Sequence, residues 1–171
     1  MKYISVEEMR NIDTQTDAVG GVSFAQLMEN AGRGIADIIL DLPEHDGSGN
    51  DVLALVGPGN NGGDALVALD LLAAEGWDVT AYLFKRDPKD DPLVARVEEA
   101  GGEVVLAEKD KGFKKMTALA KQTSVFLDGL LGTGIKLPLR ENAAKLLAAA
   151  RDALDSVNWE AYVVAIDCPS G

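Results

Sequence analysis

The sequence is short of the residues from which many protein sites are built. It has one cysteine, Cys168, which rules out an internal disulfide and suits a reducing compartment, so a cytoplasmic location is expected. It has one histidine, His45, and no Cys/His cluster, so a zinc site is not expected. No apolar run approaches the ~20 residues of a membrane span, and the start, MKYISVEEMR, lacks the pattern of a signal peptide. Basic residues are outnumbered, 16 Lys and Arg against 28 Asp and Glu, for a net charge of −12. Nucleic acid needs basic patches, so it is not an expected partner. The acidity reads as a soluble, self-repelling surface on which local basic groups can still meet an anionic ligand. There is no internal repeat and no low-complexity segment.

What is present is enough for one folded domain. The 171 residues are 47 % hydrophobic, sufficient for a core. Two helices are expected first. Ser5-Val6-Glu7-Glu8 is a capping-box pattern, followed at helical spacing by Met9, Ile12 and Thr16. Ser23 caps a second helix with Phe24, Leu27, Met28, Ala31, Ile35 and Ile38 on one face. The stretch PEHDGSGN is turn chemistry. The pattern then alternates. The strands DVLALVG, DVTAYLF, EVVLA, SVFLDGL and YVVAID are separated by helices at 62–75, 91–100, about 112–121 and 140–155. Such alternation predicts a Rossmann-like α/β/α architecture with a mainly parallel sheet. Right-handed crossovers favour the strand order 3-2-1-4-5.

In such sheets ligands bind beyond the carboxyl ends of the strands, where the strand order reverses. The unusual polar residues fall at those ends. Strand 1 leads into Asn60-Asn61-Gly62-Gly63-Asp64, strand 4 into Asp128 and the run Gly129 to Gly134, and strand 5 into Asp167-Cys168-Pro169-Ser170-Gly171. Taken singly, each segment reads as readily as a tight turn or a helix cap as it does as part of a site. Three together point to one crevice. Gly57-x-Gly59-x-x-Gly62 also fits a dinucleotide fingerprint, which keeps an NAD(P)-dependent oxidoreductase open as an alternative. That reading lacks the acid expected at the end of strand 2, where Phe84-Lys85-Arg86 stands instead. Lys85 and Arg86 are either 2′-phosphate ligands or a solvated strand end. No P-loop lysine follows the glycines.

The segments GPGNNGGDALVAL, FLDGLLGTGIKLPLR and VVAIDCPSG resemble, in this order and spacing, the YjeF N-terminal domain family, the NAD(P)H-hydrate epimerases. EEMRNIDTQT and FAQLMENAGRGIADII resemble that family's two leading helices. The resemblance implies one domain over residues 1–171, ending before a further strand and helix usual in the family. It implies epimerisation at C6 of hydrated NADH and NADPH between R and S forms, of which a separate dehydratase takes only the S form. Asn60, Asn61, Gly62, Gly63 and Asp64 would hold the hydrate. Gly132, Thr133, Gly134, Ile135, Lys136, Leu137 and Pro138 would bind its phosphate region. Asp167 would contact the reacting part. Asn61, Asp128 and Ser170 would bind a potassium ion, and an amide, a carboxylate and a hydroxyl are the oxygen ligands a hard cation takes. Backbone N–H groups at Gly132 to Gly134 suit phosphate, with Lys136 and Arg140 nearby in sequence. Asp167 is the expected acid-base group and Asp64 the second choice. A homodimer, and a dehydratase fused or separate, are partners the resemblance admits. A non-catalytic nucleotide-binding module of the same fold is the other alternative. Ala65 and Cys168 depart from the family's usual Gly and Ile. Ala65 would either narrow the approach to the ligand or strengthen its helix, and Cys168 fits a buried small side chain better than a nucleophile.

Overall fold

The computed structural model describes Ser5, Glu8 and residues 21–43, 49–132, 138–157 and 161–170. Met9, Ile12, Thr16 and His45 lie outside these. The Ser5 Oγ accepts from the Glu8 N–H at 3.2 Å, and the Glu8 carboxylate accepts from the Ser5 N–H at 2.7 Å, the reciprocal bonds of a capping box. Helix α1 is Phe24–Leu40, with Ser23 accepting from the Gln26 N–H at its start. Then follow β1 (Asp51–Val56), α2 (Asn60–Ala74), β2 (Asp78–Leu83), α3 (Pro92–Glu99), β3 (Glu103–Leu106), α4 (Lys114–Ala120), β4 (Val125–Gly129), α5 (Glu141–Leu154) and β5 (Tyr162–Ala165).

The five strands form one sheet in the expected order β3-β2-β1-β4-β5, and every pairing is parallel. Alternate strand residues feed two cores. Val52, Ala54, Val56, Ala81 and Leu127 pack with α1, α2 and α3 on one face. Leu53, Leu55, Tyr82 and Phe126 pack with α4 and α5 on the other. This is the period-two alternation of a sheet covered on both sides. Helix α2 is buried along nearly its whole length, because the sheet, α1 and α3 enclose it. The helices stop where the sequence places glycine after them: Gly76 and Gly101 take the left-handed conformation, φ 86° and 90°.

The core face of α1 differs from the expected one. Its buried residues are Gly32, Ala36 and Ile39, while Phe24 and Ile38 are 44 % and 58 % exposed and Ala31 faces solvent. Gly32 is the reason. A Cβ there would lie 2.4 Å from Val67 Cγ1, so α1 and α2 meet at a glycine, where hydrophobic periodicity carries no signal. β5 pairs with β4 as the expected order requires, and its Val163 is 61 % exposed.

Candidate functional site

The strand ends on either side of the reversal are laced together by the main chain. The Gly57 N–H donates to the Gly129 carbonyl at 3.1 Å, and the Ile166 N–H donates to the Asp128 carbonyl at 3.0 Å. The glycines make this approach possible. A Cβ on Gly57 would stand 1.9 Å from the Leu130 oxygen, and one on Gly62 would stand 2.0 Å from the Gly57 oxygen. Gly63 lies beneath Met28, which a Cβ would meet at 2.7 Å. Gly62 and Gly63 thus answer to packing whatever else they do. Ala65 is fully buried and packs toward Gly129, so its methyl belongs to the core and not to an approach path.

Asn61, in the first turn of α2, ties the three segments. Its Nδ2 donates to the Leu131 carbonyl at 3.1 Å and to the Ile166 carbonyl at 2.9 Å, across 70 and 105 residues of sequence. The side chain is buried, 8 % exposed, and its Oδ1 accepts no hydrogen bond among the described residues. Gly132 lies against it, and a Cβ there would stand 2.8 Å from that Oδ1. Asp128 and Ser170 are bonded directly. The Ser170 hydroxyl donates to Asp128 Oδ1 at 2.6 Å, the Ser170 N–H donates to Oδ2 at 2.7 Å, and the Leu131 N–H donates to the Ser170 hydroxyl at 3.0 Å. Both residues are buried, at 6 % and 2 % exposed. Buried polar atoms are normally paired, so the bare Asn61 Oδ1 is the unusual one. An amide oxygen, a carboxylate and a hydroxyl oxygen suit a hard cation. Among the described residues no three His, Cys, Asp or Glu side chains gather for a metal.

Asp167 follows β5 in a three-residue turn. Its φ is 63°, and the Cys168 N–H donates to the Ile166 carbonyl at 2.7 Å. A turn of this kind is strained, and such strain concentrates at functional sites. Asp167 is exposed and Cys168 partly so, less enclosed than a core thiol. Asp64, one turn into α2, is half-buried. Burial and the negative charge of Asp167 push its carboxyl up to about 6. At the start of α2, Gly59 occupies the cap position with no side chain to bind the free N–H groups, and Asn60 is exposed. Pro138 and Arg140 are exposed, and Thr133, Gly134, Ile135, Lys136 and Leu137 lie outside the described residues.

At the end of β2 the Lys85 side chain is exposed, and Arg86 is held back from solvent. Arg86 is engaged with Asp91 and with the Gly57 and Gly59 carbonyls. The basic letters of Phe84-Lys85-Arg86 suggested either a ligand or solvent; only side-chain geometry finds this third destination.

Comparison with known proteins identifies the family. The family model described as YjeF-related protein N-terminus matches residues 24–171. The NAD(P)H-hydrate epimerase of Cenarchaeum symbiosum is 37 % identical over 173 residues, covering 98 % of this chain and 74 % of that protein. The bifunctional NAD(P)H-hydrate repair enzyme Nnr of Thermofilum pendens is 33 % identical over 178 residues, and the chain spans only 32 % of its length. The crystal structure of the yeast protein YNL200c superposes with a TM-score of 0.80 at 25 % identity, covering all of this chain and 72 % of that one. With its sheet order, its glycine-closed crevice and a family match over most of its length, the chain belongs to the YjeF-related N-terminal domain family.

Proposed function

We propose that this chain interconverts the R and S forms of hydrated NADH and NADPH, the activity for which its epimerase relatives are named. The observation that carries the reading is the Asn61 amide. It fastens the α2 start to the loops after β4 and β5, and so sets Asp64 and Asp167 at one crevice. Asp64, raised to about 6 by burial and by the charge of its pair partner Asp167, can take up a proton and release it near neutral pH. The reaction asks for little more. The ring nitrogen's electron pair expels the C6 hydroxyl as a carboxyl protonates it, breaking one C–O bond and releasing water. Water then adds to the other face of the iminium carbon, and its proton returns to the pair. No electrons are gained or lost. We assign Asp167 to the reacting hydroxyl, since it is exposed and fixed by its turn, and Asp64 to holding the proton.

The free N–H groups at the α2 start suit the pyrophosphate of such a ligand, along with Gly132 to Pro138 of the next loop. Asn61, Asp128 and Ser170 would hold potassium, whose charge would offset the buried carboxylate and stiffen the three loops. A dehydratase acting on the S form is the natural consumer of the product, and relatives named bifunctional NAD(P)H-hydrate repair enzymes fit a fused arrangement. No helix among the described residues is long and apolar enough to cross a membrane. A cytoplasmic location fits the substrate and the lone thiol.

The test is a proton spectrum of NADH-hydrate depleted in one epimer, followed with and without the protein. Exchange between epimers faster than the unaided rate is the expected result. Binding without exchange would leave a nucleotide-binding module, and hydride transfer would mean an oxidoreductase.

A further inference from the structure

Beyond β2 the chain turns sharply. Lys85 takes φ 55°, its side chain exposed and its Nζ 5.3 Å from the centre of the Phe84 ring. After this turn Arg86 reaches back over the end of β1. Its side chain is only 14 % exposed. Nε donates to Asp91 Oδ2 at 2.8 Å, and Nη1 donates to the carbonyls of Gly57 and Gly59, each at 3.3 Å. Asp91 has a second task. Its Oδ1 accepts from the Leu93 and Val94 N–H groups at 3.0 and 3.4 Å, capping α3. The anchor is therefore fixed from behind by a helix.

The two carbonyls belong to the loop that opens α2, and Gly59 is that helix's cap residue. The Gly59 carbonyl also accepts the Gly63 N–H at 3.2 Å, so helix and guanidinium together turn it from a phosphate, while the guanidinium holds the Gly57 carbonyl. The peptide groups that follow then have their N–H ends available for the anion. A guanidinium fork can serve a carboxylate and two carbonyls at once, whereas an ammonium is a point charge. In dinucleotide-binding sheets this strand end reads the ribose; here Arg86 is spent on the loop while Lys85 stays exposed.

We propose that Arg86, anchored by Asp91, is a positioning residue that holds the Gly57 and Gly59 carbonyls away from an anionic dinucleotide and does not read its 2′-phosphate. The proposal rests on the reading of this crevice as the site for hydrated NAD(P)H, yet it can be tested without turnover.

The experiment measures binding of ADP-ribose and of 2′-phospho-ADP-ribose by calorimetry, with thermal melting, for the parent chain and for Arg86→Gln, Arg86→Lys and Asp91→Asn. Arg86→Gln should weaken both ligands by the same factor, about tenfold or 1.4 kcal/mol. Asp91→Asn keeps an oxygen for the α3 cap but loses the charge, and should weaken both ligands as well. Arg86→Lys should recover little. Epimer exchange in Arg86→Gln should show a raised KM with kcat within about twofold of the parent, since the strut acts on phosphate binding and not on C6. Loss confined to the 2′-phosphorylated ligand would overturn the proposal and make Arg86 a 2′-phosphate reader. A lowered Tm with unchanged affinity would overturn it in favour of a stability brace. No binding of either probe by the parent would overturn it too. A parent chain that binds both probes but exchanges no epimers would remove the epimerase reading alone, and the tenfold loss in Arg86→Gln would still support the strut.

Discussion

Asp64 and Asp167 are both carboxylates, and their surroundings separate them. Asp167 is exposed in a left-handed turn, a conformation asparagine also tolerates, so Asp167→Asn should keep the fold. If Asp167 meets the reacting hydroxyl, epimer exchange should fall by roughly 10²–10⁴-fold while ADP-ribose affinity holds. A variant that binds, melts normally and exchanges at the parent rate would move the assignment to Asp64. Asp64 should show itself in stability. Its folded value of about 6 lies above the ordinary 3.8, so the folded chain binds its proton more tightly than the unfolded chain. Stability is therefore lost as pH rises from about 4 to about 6, and the full penalty persists above. Asp64→Asn should melt several degrees higher than the parent at pH 8 and no higher at pH 4. A gain that did not depend on pH would mean the carboxyl is not destabilised by its setting.

The start of α2 sets stability and binding against each other, and two of its glycines separate the two effects. Gly57 has no room, since a Cβ would meet the Leu130 oxygen at 1.9 Å. Gly57→Ala should cost about 1–3 kcal/mol or more, which at this chain length lowers Tm by about 3–10 °C. Gly59 has open space and the extended backbone of a cap residue, φ −94° and ψ −167°. Gly59→Ser should raise Tm by about a degree, because serine caps slightly better than glycine. It should also weaken ADP-ribose severalfold by occupying an N–H group the ligand needs; tighter or equal binding would show that those groups do not hold the anion. Much at this scale was readable in the letters. The strands, their order, the cap at Ser23 and the stops at Gly76 and Gly101 follow from period, propensity and turn chemistry. The core face of α1 did not, because it is built on Gly32 and Ala36, and small residues that permit close approach leave no mark in an apolar pattern. The long reach of the Asn61 amide and the destination of Arg86 were hidden for another reason. Both bind main-chain carbonyls, which every residue has and no sequence pattern labels.

The whole molecule carries a charge of −12, yet its proposed ligand is an anion. General repulsion and local attraction should therefore have opposite salt responses. The Debye length shrinks from about 30 Å at 0.01 M to about 8 Å at 0.15 M. Raising ionic strength with tetramethylammonium chloride at fixed potassium should speed ADP-ribose association, the reverse of a positively steered site. Replacing potassium by tetramethylammonium at constant ionic strength should weaken binding, if Asn61, Asp128 and Ser170 hold the smaller ion. Equal affinity in the two salts would remove the cation from the site. The hydrogen bonds of Asn61 also have a consequence in time. The order β3-β2-β1-β4-β5 lets the first three strands collapse as neighbours, a half-sheet of short-range pairings. Only the α2 side of the crevice lies in that half. Its closing bonds join Asn61 to Ile166 across 105 residues and Asp128 to Ser170 across 42, so they form only after β5 has docked. A ribosome-bound chain passing through the half-sheet would already hold the α2 start and its Arg86 strut, while the Asn61 clasp would close only once β5 had docked.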